Sequence, residues 1–385
     1  MKKILFVSYN HAKPNVADSV QNHRLIGALK DYYDIDILQR AQKRGDEGVW
    51  SPDIYLIDRF LYKLFPFLIS VFSLDAYLWC QRAFRQMKDK IGCYDAVIMI
   101  YGPYPTRYFQ YNSWKKYHNK IVSILYDPFY DNIFMSQSNI GKNLRSKIEK
   151  EVVEDSSAVI VNNKKLLTLF RNRYPHSYTK LINLCGSFDI PGRLKQNQTI
   201  NNDGIKRLVH SGNIYGERRI DELNEAVSRL KHQRPNLKGE LEIVVLGTYC
   251  LNYEKIVTSG NQDVIKHHSP LYGDALISFM MNADGFILID PMDSRNTCFP
   301  SKLCEYYQYK KPIFGFAAKN TPSYDSLKES GHVVCDFDTI DEMVCALNNF
   351  VSDTDKISSK FDSKYGNQFA PNVIAEEVHQ IISNI

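Results

Sequence analysis

Two stretches of this sequence set glycine, cationic and acidic side chains at spacings suited to holding a phosphate ester. The first runs Ser211-Gly212-Asn213-Ile214-Tyr215-Gly216-Glu217-Arg218-Arg219, between an apolar run and a helical segment beginning near Ile220 or Asp221. Glycines let the backbone approach a ligand, amides at a helix start face anions, and two guanidinium forks suit a diphosphate. Taken alone, a loop with solvent-facing arginines would read the same way. The second runs Asp290-Pro291-Met292-Asp293-Ser294-Arg295-Asn296-Thr297-Cys298-Phe299-Pro300-Ser301-Lys302-Leu303-Cys304-Glu305-Tyr306-Tyr307 and closes on Lys311-Pro312-Ile313. Pro300 suits a helix start, so Ser301 and Lys302 fall in the first turn, with Glu305 one turn on along the same side. Amides and Lys302 there can meet phosphate oxygens while Glu305 accepts from ribose hydroxyls. An amphipathic helix whose lysine and glutamate face water is the plainer alternative.

Other candidates lie in the first half. His11 and Asp18 follow the first apolar run, on the side where open α/β sheets bind ligands. Tyr101-Gly102-Pro103-Tyr104-Pro105 follows another such run and can stack on a sugar or simply form a turn. Tyr126-Asp127 follows a third. His267-His268 has no third ligand at a workable spacing, so no metal is expected.

These residues need a scaffold, and short apolar runs alternating with helical segments predict β-α units around parallel sheets. The first-half strands are expected at Ile4-Ser8, Ile35-Leu38, Ala96-Ile100, Ile121-Leu125, Ala158-Val161 and Lys180-Asn183. Ser19 is expected to cap a helix reaching Leu29, with further helices at Ile140-Glu154 and Lys164-Arg173. A polar, turn-rich stretch from Asp189 to Gly204 reads as a linker. Beyond it, strands are expected at Arg207-His210, Leu241-Leu246, Asp263-Lys266, Gly285-Ile289, Pro312-Phe316 and His332-Val334. The intervening helices are Ile220-Lys231, Tyr272-Asn282, Ser301-Tyr309 and Ile340-Val351. Two doubly wound α/β domains in series are the simplest architecture.

A chain of 385 residues with 44% apolar content can bury two cores. Its formal charge of +5 is unevenly spread: 29 basic against 18 acidic residues through Ile200, then 19 against 25. A basic first half suits a phosphate-rich or anionic-membrane partner. The eight cysteines stand without a C-x-x-C pair, which fits reduced thiols and neither a zinc site nor a disulfide framework. The apolar run after Met1 is too short for a signal h-region and is read as a buried strand. Phe60 to Trp79 is interrupted by Lys63, Pro66 and Asp75, so no membrane span is expected, although Phe60-Phe72 with its flanking arginines could rest on anionic lipid.

Pro300-Ser301-Lys302-Leu303-Cys304-Glu305-Tyr306 followed by Lys311-Pro312-Ile313, with Gly212 to Arg219 upstream, resembles retaining GT-B glycosyltransferases of family 4, in particular their bacterial polysaccharide and lipopolysaccharide branch. The resemblance covers nearly the whole chain. It implies two Rossmann-like doubly wound domains facing across a cleft: residues 1–195 binding the acceptor, 196–360 binding the nucleotide sugar, and a helical segment at 361–385 returning to the first. It also implies a nucleoside diphosphate sugar as donor, a saccharide or lipid-linked saccharide as acceptor, and transfer with retention in cell-surface polysaccharide assembly. No cofactor and no metal are expected, and no nucleic acid.

Carried over, the resemblance puts Gly212, Arg218, Arg219, Ser301 and Lys302 on the donor diphosphate and Glu305 on the ribose. Leu271, within His268-Ser269-Pro270-Leu271-Tyr272, falls at the base, and Thr297, Cys298 and Phe299 at the donor sugar. Asp127 becomes the candidate catalytic residue on the acceptor side, with His11 and Asp18 at the acceptor. The sequence departs from the family pattern in four places. Thr297 stands where a Glu-x7-Glu signature has its first glutamate, Asn213 replaces a frequent arginine, Tyr126 replaces a frequent histidine, and the first loop lacks glycines. A sugar-nucleotide epimerase on the same scaffold and a non-catalytic sugar-nucleotide-binding homologue are the alternatives. The expected location is the cytoplasm, with the inner face of the cytoplasmic membrane as a peripheral site.

Overall fold

Side chains alternate along a strand, so a strand apolar at every position must be covered on both faces. The run from Ile4 to Val7 within Lys2–Ser8 (β1) shows this: Leu5 and Val7 enter one buried cluster while Ile4 and Phe6 enter another. The computed structural model describes residues 1–11, 17–50, 74–100, 112–117, 120–133, 139–183, 203–353 and 360–385. The chain divides into two units: Met1–Cys185 with Thr297–Phe299 and Phe369–Ile385, and Gly186–Asn296 with Pro300–Gln368.

The first unit runs β1, α1 (Ala17–Leu29), β2 (Tyr33–Gln39), α2 (Leu74–Met87), β3 (Ala96–Ile100), β4 (Ile121–Leu125), α3 (Asn139–Asp155), β5 (Ala158–Val161), α4 (Lys164–Arg173) and β6 (Thr179–Leu181). Its six strands are parallel, in the order β2-β1-β3-β4-β5-β6.

The second unit runs β7 (Lys206–Ser211), α5 (Asp221–Gln233), β8 (Leu241–Leu246), α6 (Tyr253–Thr258), β9 (Ile265–His268), α7 (Gly273–Asn282), β10 (Gly285–Ile289), α8 (Ser301–Gln308), β11 (Ile313–Phe316), α9 (Pro322–Glu329), β12 (Val333–Cys335) and α10 (Ile340–Ser352). Its order, β12-β11-β10-β7-β8-β9, is again wholly parallel. Strand order reverses between β7 and β10. Loops leaving those two strands diverge there, opening the crevice where doubly wound sheets bind ligands.

The last helix, α11 (Pro371–Ser383), belongs to the first unit. Proline is well placed at its first position, where no intrahelical donor is needed. Ile374, Ala375, Val378, Ile381 and Ile382 recur at helical spacing and join the cluster of Ile4, Phe6, Leu25 and Leu29. His379 Nδ1 lies 2.8 Å from the Tyr33 hydroxyl and its ring stacks on Tyr32 at 4.5 Å. This stripe closes one face of the first sheet.

Several elements differ from expectation. Ser19 is no cap: α1 has already begun at Ala17, and the Ser19 hydroxyl donates to the His11 carbonyl at 2.5 Å. β9 starts two residues later than expected, because Asn261–Asp263 form a 3-10 turn anchored by the Asn261 amide on Asn224 and Ser228. Helices α6 and α9 were not anticipated, although Thr321 followed by Pro322 is a start signal; the Thr321 hydroxyl accepts from the Tyr324 amide. Phe60-Phe72, Tyr101-Pro105 and most of the linker lie outside the described residues. Among the described residues, no helix is long and apolar enough to cross a membrane.

Ile374→Ala should destabilise the protein by about 2–5 kcal/mol, since a buried isoleucine is lost beneath α1 with little room to relax. The denaturant midpoint measures it; an unchanged midpoint would show that α11 does not seal this core.

Candidate functional site

The second unit gathers a cluster of charged and polar side chains at its β7/β10 switch point. β7 ends at Ser211, and Gly212 follows with φ 118°, a conformation open to glycine. A Cβ there would lie 2.8 Å from Lys302 Nζ, so the end of that flexible side chain would have to move. Asn213, exposed, follows, its side-chain oxygen accepting from the amides of Thr248 at 2.7 Å and Tyr249 at 3.1 Å. Asn213 thus fastens the loop after β8 to the loop after β7.

Arg218 lies across this loop with its guanidinium over the Tyr215 ring at 5.4 Å. Its Nε is 3.6 Å from Oδ1 of Asp290, the residue just after β10, whose side chain is 1% exposed. The other carboxylate oxygen accepts from the Ser323 hydroxyl at 2.5 Å and the Asn296 amide at 3.2 Å. Burial pushes the Asp290 carboxyl upward, while Arg218, Ser323 and Lys302 pull it back.

Helix α8 starts beside this pair. Pro300 stands at its N-cap position, and the Leu303 amide already donates to the Pro300 carbonyl at 3.0 Å. Tyr306, buried and stacked on Phe286 at 4.8 Å, accepts the Ser211 amide at 2.8 Å and so pins the helix to the end of β7. Lys302 reaches back from the first turn to His210, Nζ to Nε2 at 3.2 Å. Burial first, then Arg218, push the Lys302 ammonium down to about 7, with Asp290 and Glu305 opposing. Arg218 and Lys302 here face two carboxylates, Asp290 and Glu305, beside the start of α8.

The remaining expected residues distribute as follows. Ser301 and Glu305 share α8 with Lys302, both half-buried. Arg219 diverges from Arg218: its guanidinium is largely exposed and pairs with Glu222 Oε1 at 2.9 Å. Leu271 is half-buried between β9 and α7. Thr297, Cys298 and Phe299 group with the first unit, where the Asn163 amide donates to the Thr297 carbonyl at 2.9 Å and Phe299 stacks on Phe369. In that unit Asp127 is half-buried just past β4. Its neighbour Tyr126 donates to Asn22, and Asn22 to Ser8, tying the ends of β4 and β1 to α1. His11 is buried against the His23 ring at 3.9 Å, and burial with that neighbour lowers it to about 4, leaving it neutral near pH 7. Asp18 falls in α1. Among the described residues, no group of three His, Cys, Asp or Glu side chains could hold a metal ion.

The sequence reading assigned no role to His210, Asp290, Asn296 or Ser323. His210 was detectable in principle, because a polar residue inside a strand buried on both faces is anomalous. Asn296 and Ser323 carry no such signal; only the fold brings them to Asp290.

No protein-family model matches the sequence, and no curated protein matches it. Solved structures do match. Sucrose-phosphate synthase from Thermosynechococcus elongatus aligns with a TM-score of 0.72 at 14% identity, over 100% of this chain and 99% of that one. A trehalose-phosphate synthase from Burkholderia xenovorans, in complex with glucose-6-phosphate, aligns at 0.68 and 9% identity, over 99% and 100%. HepE from Anabaena, in complex with UDP, aligns at 0.65 and 13% identity, over 100% of both chains. The likeness is one of fold: two Rossmann-like domains in series, the GT-B arrangement.

A lysine whose pKa falls from 10.5 unfolded to about 7 folded weakens the fold wherever it must be charged. The penalty is full below about pH 7 and fades as pH rises towards 10.5, where both states are neutral. Lys302→Met should therefore raise stability most below neutrality and least in alkali. Denaturation midpoints across pH check the sign; a gain that grows with pH would refute it.

Proposed function

We propose that this chain is a nucleoside-diphosphate-sugar-dependent glycosyltransferase. The reading rests on one observation: Gly212, Arg218, Lys302 and the first turn of α8 converge at the switch point of the second sheet, where a doubly wound domain presents a diphosphate site. The fold it shares with sucrose-phosphate and trehalose-phosphate synthases, and with a protein whose structure contains UDP, supports the same reading.

In this proposal Arg218, Lys302, Gly212 and Ser301 hold the donor diphosphate, and Arg219 adds charge at the rim once drawn from Glu222. Glu305 accepts from the ribose hydroxyls, Leu271 lies at the base, and Thr297, Cys298 and Phe299 meet the donor sugar. Transfer proceeds with retention on one face of the sugar. The acceptor oxygen bonds to the anomeric carbon as the bond from that carbon to the phosphate oxygen breaks, and the acceptor proton passes to the leaving diphosphate. The protein contributes position and positive charge at the oxygens where negative charge develops. On the acceptor side Asp127 is the assigned catalytic residue; His11, neutral at pH 7, and Asp18 hydrogen-bond the acceptor. The acceptor is a saccharide or lipid-linked saccharide of cell-surface polysaccharide assembly, reached in the cytoplasm or at the inner face of the membrane, with the basic first half drawing the enzyme to anionic lipid. Thr297, without a carboxylate for the sugar, favours a second reading as a binding homologue that does not turn over.

A thermal-shift screen of nucleoside diphosphate sugars identifies the donor, since a ligand of the folded state raises apparent stability. With that donor, Arg218→Ala should weaken binding by about tenfold to a hundredfold, the loss of a charge-assisted bond to phosphate. Glu305→Ala should reduce affinity for the nucleoside diphosphate but not for pyrophosphate, which has no ribose. Calorimetry separates the two, and unaltered affinities in both variants would remove the donor assignment. Stereochemistry by NMR tests retention; tight donor binding without transfer across a broad acceptor panel would favour the second reading.

A further inference from the structure

We propose that His210 is a positioning residue for Lys302: a neutral imidazole whose Nδ1–H is committed to the Ile287 carbonyl and whose Nε2 accepts from the Lys302 ammonium, fixing it above Gly212 to meet a diphosphate. The inference rests on the donor-diphosphate reading of Lys302 and adds to it the group that aims the lysine.

His210 lies within β7, fully buried, beside the apolar Val209. A polar ring in such a place requires partners. It has two: the Ile287 carbonyl at 3.0 Å from Nδ1 and Lys302 Nζ at 3.2 Å from Nε2. A carbonyl oxygen only accepts, so Nδ1 carries the proton, and a neutral ring then presents a lone pair at Nε2. An imidazolium is disfavoured because burial, then Lys302 and Arg218, hold His210 well below its ordinary range.

The geometry makes this acceptor useful. Lysine is a point charge on a flexible stem, unlike the preorganised fork of arginine. His210 takes one of its three donors from one side, and the missing side chain of Gly212 leaves the space that the ammonium occupies. Two donors remain for phosphate oxygens. The other charged groups acting on Lys302 are Arg218 from the loop after β7, Asp290 at the end of β10 and Glu305 on α8. Against the combined burial and repulsion from Arg218, a lone pair at Nε2 favours the protonated lysine, the form that binds phosphate. Diphosphate binding then weakens as pH rises and Lys302 loses its proton, and His210 helps set where that weakening falls.

Calorimetry of the full chain with inorganic pyrophosphate, the part common to every nucleoside diphosphate donor, tests this across the neutral range. Pyrophosphate's own titration is common to all variants, so differences between them report the protein. His210→Leu should weaken binding at neutral pH about tenfold and move the alkaline fall in affinity to lower pH. His210→Gln, whose amide oxygen can accept from Lys302, should move it back towards the parent. Coincident pH profiles for the parent and His210→Leu would overturn the proposal. Nitrogen-15 NMR of the parent's histidines gives a reading that needs no variant to fold: the Nδ1–H tautomer is expected, and an Nε2–H tautomer or an imidazolium at His210 would overturn it. If Lys302→Met binds pyrophosphate as the parent does, the diphosphate reading itself fails, a result distinct from a failure of His210 alone.

Discussion

Asp290 holds a carboxylate almost wholly out of water at the end of β10, and an ionised group there is tolerated only where its partners replace the lost solvent. Those partners come from three directions. Arg218 arrives from the loop after β7, Asn296 from the segment before α8, and Ser323 from the first turn of α9. Displacing any one of them leaves charge uncompensated in a place of low dielectric. The loop after β7 and the end of β10 are thereby tied together by charge, alongside the apolar anchors Ile214 and Ile220 in the core.

The sheet order explains why this happens here. In β12-β11-β10-β7-β8-β9 the chain winds outward from β7 and then returns to its other side at β10, so neighbouring strands send their loops apart. Parallel strands all end on the same edge, and α8 starts there. Tyr306 fixes the helix to Ser211 through one hydrogen bond between otherwise buried groups. Desolvation at Lys302 weakens the fold wherever the ammonium must be charged, and the same desolvation strengthens its interaction with neighbouring charge.

Much of this architecture was legible in the sequence. Ala96–Ile100, Ile121–Leu125, Ala158–Val161, Leu241–Leu246 and Gly285–Ile289 coincide with expected strands because each is a short apolar run covered on both faces. β2 extends beyond expectation at both ends: it borders the sheet, and its exposed Asp34 interrupts the apolar pattern. The start of β9 was misplaced because the Asn261 turn depends on Asn224 and Ser228, more than thirty residues away. The site shows the same division. Gly212, Arg218 and Lys302 were visible as residue types at telling spacings. Their arrangement around Asp290 and His210 was not, since a buried ion pair is a property of tertiary proximity and leaves no period in the chain. The divergence of Arg219 towards Glu222, three residues on, follows from both lying on the turn into α5.

The first unit is assembled from three separated pieces of chain, the last of them α11. During synthesis, Ile4, Phe6, Leu25 and Leu29 leave the ribosome well before Ile374 and Val378, which share their cluster. At about 5–20 residues per second, the wait from Cys185 to Ser383, where α11 ends, is roughly 10–40 s. Throughout that interval the nascent first domain presents an uncovered apolar face, the kind of surface that holdase chaperones bind. The first unit therefore cannot be sealed until the second has been made, and premature termination anywhere in the second leaves the first without its closing helix.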